Sequence, residues 1–347
     1  MLGQYLLELD FGASRIMEGY GLADLPNVIG DRRAVVVTDD RLAELYSAEL
    51  SAFQQIIIPQ ADAAKHMTEV DRVLGELLAI GLDRSDVLIA FGGGAVSDFT
   101  GFVAAIYKRG IDCIYVPTTV LSMVDAAIGG KTGVNHGSLK NMVGAFKMPT
   151  HIFIDPRYCL SLTDRDYSQG FAEMVKHGLI WDVQYIELLE TYQSALMTRE
   201  LETLAMCISG ASRIKIDIIK EDALEYGQRK LLNFGHTIGH AIERRQGLAH
   251  GDAVSIGMVG AMHISSQHCD LSQEDILRAA QLLQGFGLPV IQQLRTDQFW
   301  DLLVKDKKTR GNSVDYVFLE SIGRARLEAV AHTTLRTMLD EVYARVS

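Results

Sequence analysis

Cysteine is scarce in this sequence. There are four in 347 residues, at Cys113, Cys159, Cys207 and Cys269, and no two form a C-x-x-C pair. The spacing argues against a disulfide framework or a redox motif and predicts free thiols in a reducing compartment. Positive charge is also short: 33 Lys and Arg against 44 Asp and Glu leave a net charge of −11. That balance excludes a general binder of nucleic acid or anionic membrane. It leaves room only for local basic pockets that take a small anion. No stretch is long and apolar enough to span a bilayer. The opening residues have neither a basic n-region nor a signal-length apolar run, so the expected location is the cytoplasm. Internal repeats, low-complexity segments and linkers are absent as well. What is present is ordinary for a soluble globular protein, with 48% hydrophobic and 22% charged residues. The length suggests two domains, each with enough apolar material for a core.

The first half alternates strand and helix. Residues 4–9 and 14–17 read as short strands. Arg33 to Asp39 is a compact apolar run ending in an acid, the pattern of a buried parallel strand. Further strands are predicted at 54–59, 86–91 and 113–117, with helices at 41–53, 66–80 and 96–107 between them. Such alternation predicts an α/β fold with a doubly wound parallel sheet. Ligands bind such sheets beyond the carboxyl ends of the strands, where Asp39, Gly92–Gly94 and Thr118-Thr119 fall. Three glycines between a strand and a helix let a phosphate approach backbone N–H groups. The run does not match G-x-G-x-x-G, because Ser97 takes the last glycine position, and a plain turn accounts for it equally well. Residues 125–147 are rich in glycine and polar groups and read as a long, functional loop. Beyond about residue 156 the pattern is mostly helical, at 168–192, 196–219, 231–246, 252–269 and 273–286, with late strands at 314–319 and 326–330. The expected division is residues 1–157, an α/β domain, and 158–347, a mostly α-helical C-terminal domain.

Residues 229–252 concentrate the chemistry. His236 and His240 are four apart and share one helical face, and His250 follows a Gly247 that can end the helix. Imidazoles are common ligands of zinc, whose catalytic sites take three protein ligands and keep one position open. A surface or hydrogen-bonded histidine pair is the competing reading. Glu173, in Phe171-Ala-Glu-Met-Val-Lys176, is the candidate carboxylate to complete a site with His236 and His250. Arg229, Asn233 and His240, at −7, −3 and +4 from His236, are expected on one helical stripe. Lys215 lies inside an apolar segment. Lys131, Lys140 and Asn141 come from the long loop, and Lys307 and Lys308 from near the end. Several interior-looking basic residues in an acidic chain suggest a small substrate carrying phosphate and carboxylate.

Many of these residues sit in motifs that resemble the sugar phosphate cyclase family, in its 3-dehydroquinate synthase branch. They are Gly92-Gly-Gly-Ala-Val-Ser-Asp98, Tyr107-Lys-Arg-Gly110, Pro117-Thr-Thr119, Val124-Asp-Ala-Ala-Ile-Gly-Gly-Lys-Thr132, Lys140-Asn141, Ala172-Glu-Met-Val-Lys176, Leu232-Asn-Phe-Gly-His-Thr-Ile-Gly-His240 and His250-Gly251. The resemblance implies that residues 1–157 bind NAD and that residues 158–347 bind metal and substrate. Glu173, His236 and His250 would hold a divalent ion, zinc or cobalt, while His240 would touch substrate instead. NAD would lie against Gly92, Gly93 and Gly94, with Asp39 near the adenosine ribose and Asp98, Thr118 and Thr119 near the nicotinamide half. Asp62, Lys65, Lys131 and Lys140 would also serve the cofactor. Asp62 stands where the family more often has Glu, and Ala126-Ala127 where a serine pair is common. Asp125, Lys131, Lys140, Asn141, Lys176, Lys215, Arg229, Asn233, His240, Lys307 and Lys308 would line the substrate pocket. Of these, Lys131, Lys176, Lys215, Asn233 and His240 would be catalytic. Arg109 would reach the neighbouring subunit's site, which implies a homodimer.

The implied reaction closes 3-deoxy-D-arabino-heptulosonate 7-phosphate to 3-dehydroquinate with loss of phosphate. It runs through transient oxidation by NAD, elimination, reduction and an intramolecular aldol step. The partners are then a small anionic substrate and a second copy of the chain, not nucleic acid or membrane. An amino variant of the substrate, a metal- and NAD-dependent polyol dehydrogenase, or an NAD-binding protein without activity are the alternatives.

Overall fold

The structure, a computed structural model, describes residues 3–137, 139–291, 295–304, 309, 310 and 312–344. It divides into two compact units, Met1–Leu162 and Thr163–Ser347.

Among the described residues the first unit has nine strands: β1 (Gln4–Leu9), β2 (Gly12–Glu18), β3 (Ala34–Asp39), β4 (Gln54–Ile58), β5 (Val87–Gly92), β6 (Asp112–Pro117), β7 (Lys131–His136), β8 (Leu139–Phe146) and β9 (His151–Ile154). Seven form one sheet in the order β1-β2-β9-β6-β5-β3-β4. All pairings in it are parallel except β1 with β2. β5 is buried along its whole length, which is why it reads as an unbroken apolar run. The chain passes from β3 to its neighbour β4 and then returns to the other side of β3 for β5. The topological switch therefore falls between β3 and β5, where parallel sheets open a crevice at their carboxyl ends. Asp39 ends one of these strands and Gly92 the other.

The stretch at 125–147, expected as a loop, carries regular structure at its described residues. Ser122–Ala126 forms a π-helical turn, and β7 and β8 pair as an antiparallel hairpin. Gly133 and Gly144 face each other across it, and a Cβ on Gly133 would come 2.7 Å from Val143 O.

The second unit is mostly helical. Its helices span Asp164–Trp181, Val183–Thr191, Leu201–Glu221, His236–Gln246, His250–His268, Gln273–Gly285 and His332–Ala344, with shorter turns between them. The predicted helical segment 168–192 is two helices. Asp182 separates them and caps the second by accepting from Gln184 N (2.9 Å) and Tyr185 N (3.3 Å). β10 (Thr309–Arg310), β11 (Ser313–Ser321) and β12 (Arg324–Ala331) make a small antiparallel sheet. The helix Asp164–Trp181 is the axis of the unit, buried from Tyr167 to Ile180 but for Ser168. Phe171 on this helix stacks flat on Phe286, with ring centroids 4.4 Å apart. Burying such a ring contributes about 1.5–3 kcal/mol. Helices His236–Gln246 and His250–His268 form a tight hairpin. A Cβ on Gly257 would overlap Gly235 O, so only glycine permits this approach.

Candidate functional site

In the first unit the polar groups collect around helix Gly94–Ile106, which starts directly after β5. Gly93 and Gly94 leave its first turn open, and its initial N–H groups have no intrahelical acceptor. A Cβ on Gly94 would lie 2.8 Å from Ala126 Cβ, so the strand-to-helix turn is closely fitted. Thr118 N donates to Gly92 O at 3.0 Å, tying the end of β6 to the turn. Thr119 Oγ1 lies 2.8 Å from Ser122 Oγ. Asp39 accepts from Leu42 N at 2.9 Å and so caps the next helix. Burial raises its carboxyl above the usual value against the hydrogen bond from Leu42.

Lys65 is buried, at 4% exposure, and its Nζ reaches Asp98 Oδ2 at 2.6 Å and Asn141 Oδ1 at 2.5 Å. Asn141 has a left-handed backbone, φ +53°, and its N–H donates to Asn135 Oδ1 at 2.9 Å. Lys140, next to it, pairs with Asp62 at 2.7 Å. A cavity of about 330 Å³ opens here, lined by Asp62, His66, Asn135, Gly137 and Lys140 among others. Thus Asp62, Lys65, Asp98, Lys140 and Asn141 are brought together. Lys131 is exposed at the start of β7, and Asp125 lies in the π-helical turn. Arg109 is exposed on the opposite end of helix Gly94–Ile106 from the glycine turn. It follows Lys108, and both are left-handed, at φ +66° and +46°. Two consecutive non-glycine residues in that region are a strained turn.

In the second unit Glu173, Lys176 and His177 are all buried in helix Asp164–Trp181. Glu173 Oε1 lies 3.3 Å from His236 Nε2 and 3.3 Å from His250 Nε2. Its other oxygen pairs with Lys176 Nζ. Tetrahedral zinc with bonds of 2.0–2.1 Å separates its ligands by about 3.3–3.4 Å. Glu173 Oε1 stands at that spacing from each imidazole nitrogen, and the three atoms lie within 4.8 Å of one another, so the group could hold a divalent ion. Burial alone would raise the Glu173 carboxyl. The Lys176 ammonium and the two imidazoles overcome it and hold the group well below the usual carboxylate range. Burial works against a charged His250, but Glu173 and Glu243 prevail and push its pKa up to about 9.

The expected stripe of Arg229, Asn233 and His236 does not exist. Arg229 and Asn233 lie in a 3-10 turn, Gln228–Asn233, and the α-helix starts only at His236. Gly235 separates them with a left-handed φ of +75°. A side chain there would be strained and would meet Met258 N at 2.8 Å. Arg229 is nevertheless buried, at 1% exposure, and donates to Ala223 O. Asn233 Nδ2 donates to Glu225 Oε1 at 3.1 Å. His240 does lie beside the other two imidazoles, 5.1 Å from His236 and 6.1 Å from His250 by ring centroids. Lys215 is buried in helix Leu201–Glu221, which packs on helix Asp164–Trp181. Lys307 and Lys308 lie outside the described residues.

The sequence reading missed Glu243. It stands 3.3 Å from His250 Nδ1, and His240, Glu243 and His250 are a second group able to share an ion. The available signal was its place three residues after His240 and seven after His236, on the same helical face.

A parallel sheet with a glycine turn at its switch point, in one chain with an acid and two imidazoles on packed helices, is an architecture this chain shares with a solved sugar phosphate cyclase. A solved structure of ValA, a 2-epi-5-epi-valiolone synthase from Streptomyces hygroscopicus subsp. jinggangensis 5008 with NAD+ and Zn2+ bound, is 26% identical. It superposes with a TM-score of 0.87 over 97% of this chain and 98% of that one. Residues 55–169 match the family described as 3-dehydroquinate synthase N-terminal, and residues 170–309 that described as 3-dehydroquinate synthase C-terminal. A 3-dehydroquinate synthase from Azotobacter vinelandii is 37% identical over 97% of this chain and 99% of its own length. One from Shewanella frigidimarina is 38% identical over 85% and 86%. The chain belongs to the 3-dehydroquinate synthase family.

Proposed function

We propose that this chain is a 3-dehydroquinate synthase that uses NAD and a divalent metal, zinc or cobalt. It would convert 3-deoxy-D-arabino-heptulosonate 7-phosphate to 3-dehydroquinate and phosphate. The observation that carries the reading is the placing of Glu173 Oε1 at equal distance from His236 Nε2 and His250 Nε2. It occurs in a chain that matches 3-dehydroquinate synthases over nearly its full length. When bound, NAD supplies a reversible hydride acceptor and the metal a Lewis acid.

The chain's own residues do the rest. Glu173, His236 and His250 hold the ion, and Lys176 keeps the Glu173 carboxylate ionised. Gly92, Gly93 and Gly94 admit the cofactor phosphates to the helix N-terminus. Asp39, Asp62, Lys65, Asp98, Thr118, Thr119, Lys131 and Lys140 complete that binding. The first unit is thus the NAD domain, and the second the metal and substrate domain. Lys131, Lys140, Asn141, Lys176, Lys215, Arg229, Asn233 and His240 are assigned to the substrate, with Asp125, Lys307 and Lys308. Fixed cations such as Lys215 and Arg229 suit its phosphate and carboxylate. Lys176, Lys215 and His240 are assigned to hold or move protons as phosphate leaves. Arg109 is assigned to a partner subunit's site in a homodimer, which a dimeric sedimentation mass would support. Buried free thiols at Cys113, Cys159 and Cys207 suit the cytoplasm. Among the described residues no helix is long and apolar enough to cross a membrane.

The test is to incubate the protein with substrate, zinc and sub-stoichiometric NAD, then follow free phosphate and NADH absorbance. Phosphate release without net NADH is expected. Conversion of the supplied NAD to NADH without phosphate release would mean a dehydrogenase, and neither signal would mean a binding protein; each would overturn the proposal.

A further inference from the structure

The two imidazoles assigned to the metal are each held from behind. His236 Nδ1 lies 3.0 Å from Phe234 O, and His250 Nδ1 lies 3.3 Å from Glu243 Oε2. Both partners are acceptors only, so in each ring Nδ1 must carry the hydrogen. In the neutral ring the lone pair is then left at Nε2, the atom that faces Glu173 in both rings. For His236 the acceptor is backbone, fixed by the turn at Gly235. For His250, which opens its helix, the acceptor is a side chain from the preceding helix, and that side chain is mostly buried at 11% exposure.

We propose that Glu243 is the positioning residue for His250. Its carboxylate sets the ring's tautomer and plane, so that Nε2 is presented to the ion while Glu243 itself makes no bond to it. The inference rests on the reading of Glu173, His236 and His250 as the ligands. An outer carboxylate on a ligating imidazole also raises that ligand's basicity, and losing one typically weakens metal binding by about 10–100-fold. The competing arrangement is the group His240, Glu243 and His250, in which the same carboxylate would be a ligand.

The experiment is a zinc competition titration of the metal-stripped full chain against a chromophoric chelator, for wild type, Glu243→Ala, Glu243→Gln and Glu173→Gln. Glu243→Ala is expected to weaken zinc binding by about 10–100-fold. Glu243→Gln is expected to recover most of that loss, because its amide oxygen still accepts from Nδ1–H. In the zinc-loaded wild type and Gln variant, nitrogen NMR should find His250 protonated at Nδ1. Wild-type affinity in Glu243→Ala, with Glu173→Gln deprived of zinc, would overturn this inference alone and leave the ligand reading intact. Loss of zinc in both Glu243 variants, with Glu173→Gln still loaded, would put the ion on Glu243 and overturn both. If the Ala variant does not fold, Glu243→Asp takes its place. Its carboxylate is one methylene short of Nδ1, so it should bind zinc more weakly than Glu243→Gln, and equal or tighter binding would overturn the proposal.

Discussion

Each unit of this molecule buries a lysine against a carboxylate, and the two pairs are built for different ends. In the first unit Lys65 Nζ is divided between Asp98 and the amide oxygen of Asn141. The pair pins a left-handed residue of β8 to helix Gly94–Ile106 and so fixes backbone. In the second unit Lys176 shares Glu173 with two imidazoles. One acid there faces three potential cations, and two of those can give up a proton. Such a cluster can exchange protons for a metal ion, whereas the contacts of Lys65 are a carboxylate and an amide. The first arrangement holds shape and the second handles charge.

The largest way to break the comparison is to neutralise each acid or lysine in turn. Glu173→Gln should abolish stoichiometric metal and, with it, turnover, measured by metal analysis and phosphate release. It also strands Lys176 at 1% exposure, and a buried charge stripped of its partner costs about 3–5 kcal/mol. The thermal midpoint of the metal-free variant should drop accordingly. A Glu173→Gln protein with normal metal content would mean that the ion is held elsewhere.

The second cluster should also betray its proton traffic. Without metal, Glu173 and Glu243 push the His250 pKa up to about 9. An ion that takes Nε2 must displace that proton, so metal affinity falls wherever His250 is protonated. Apparent zinc affinity should rise about ten-fold per pH unit below 9 and level off above it. A flat profile between pH 7 and 9 would remove His250 from the ligand set. Lys65→Met sharpens the contrast from the other side. It removes hydrogen bonds to a charged group, a loss of about 1.5–3 kcal/mol, and should loosen NAD binding measured by fluorescence titration while zinc content stays at wild-type level. Zinc loss in this variant would show that the two clusters are not independent.

How much of this was legible in the sequence follows the same division. β3, β5 and β6 announced themselves, because strands buried on both faces are apolar throughout. His236 and His250 stood out as residue types, and Glu173 by its apolar neighbours. The hairpin β7–β8 did not. Its strands, Lys131–His136 and Leu139–Phe146, alternate poorly because glycines let the two backbones approach, and backbone complementarity leaves no hydrophobic period to read. The stripe through Arg229 and Asn233 failed at one residue, Gly235, whose left-handed φ ends one helical phase before the next begins. Glu243 was passed over because an acid three residues from a histidine is common on exposed helices. Only the fold turns this one inward against His250. The residues proposed as metal ligands were thus readable by kind, and the group proposed to orient His250 was not.

The smallest expected effect compares two aspartates that are not themselves assigned to metal, cofactor or substrate. In the first unit Asp86 accepts from Asp83 N at 2.7 Å and from Arg33 through its backbone and its guanidinium. In the second unit Asp222 accepts from Tyr226 N at 2.9 Å, Gly227 N at 2.6 Å and Arg229 N at 3.1 Å. In both, burial would raise the carboxyl, but these donors outweigh it and the pKa is lowered. A group whose folded pKa lies below its unfolded value binds fewer protons in the native state. Its stabilisation is therefore complete above the unfolded value of about 3.9 and is lost as pH falls through the folded value. Asp86→Asn and Asp222→Asn keep an acceptor but not the charge, so each should cost roughly 1 kcal/mol at neutral pH. Each should also flatten the acid limb of a urea-unfolding series taken below pH 5. Asp86 ties together the amino ends of β3 and β5, and Asp222 supports the turn that carries Arg229. Only Asp222→Asn should therefore raise the KM for substrate while leaving metal content unchanged. If both variants raised it equally, the turn at Asp222 would have no special tie to Arg229, and the placing of that guanidinium on the substrate would lose its structural support.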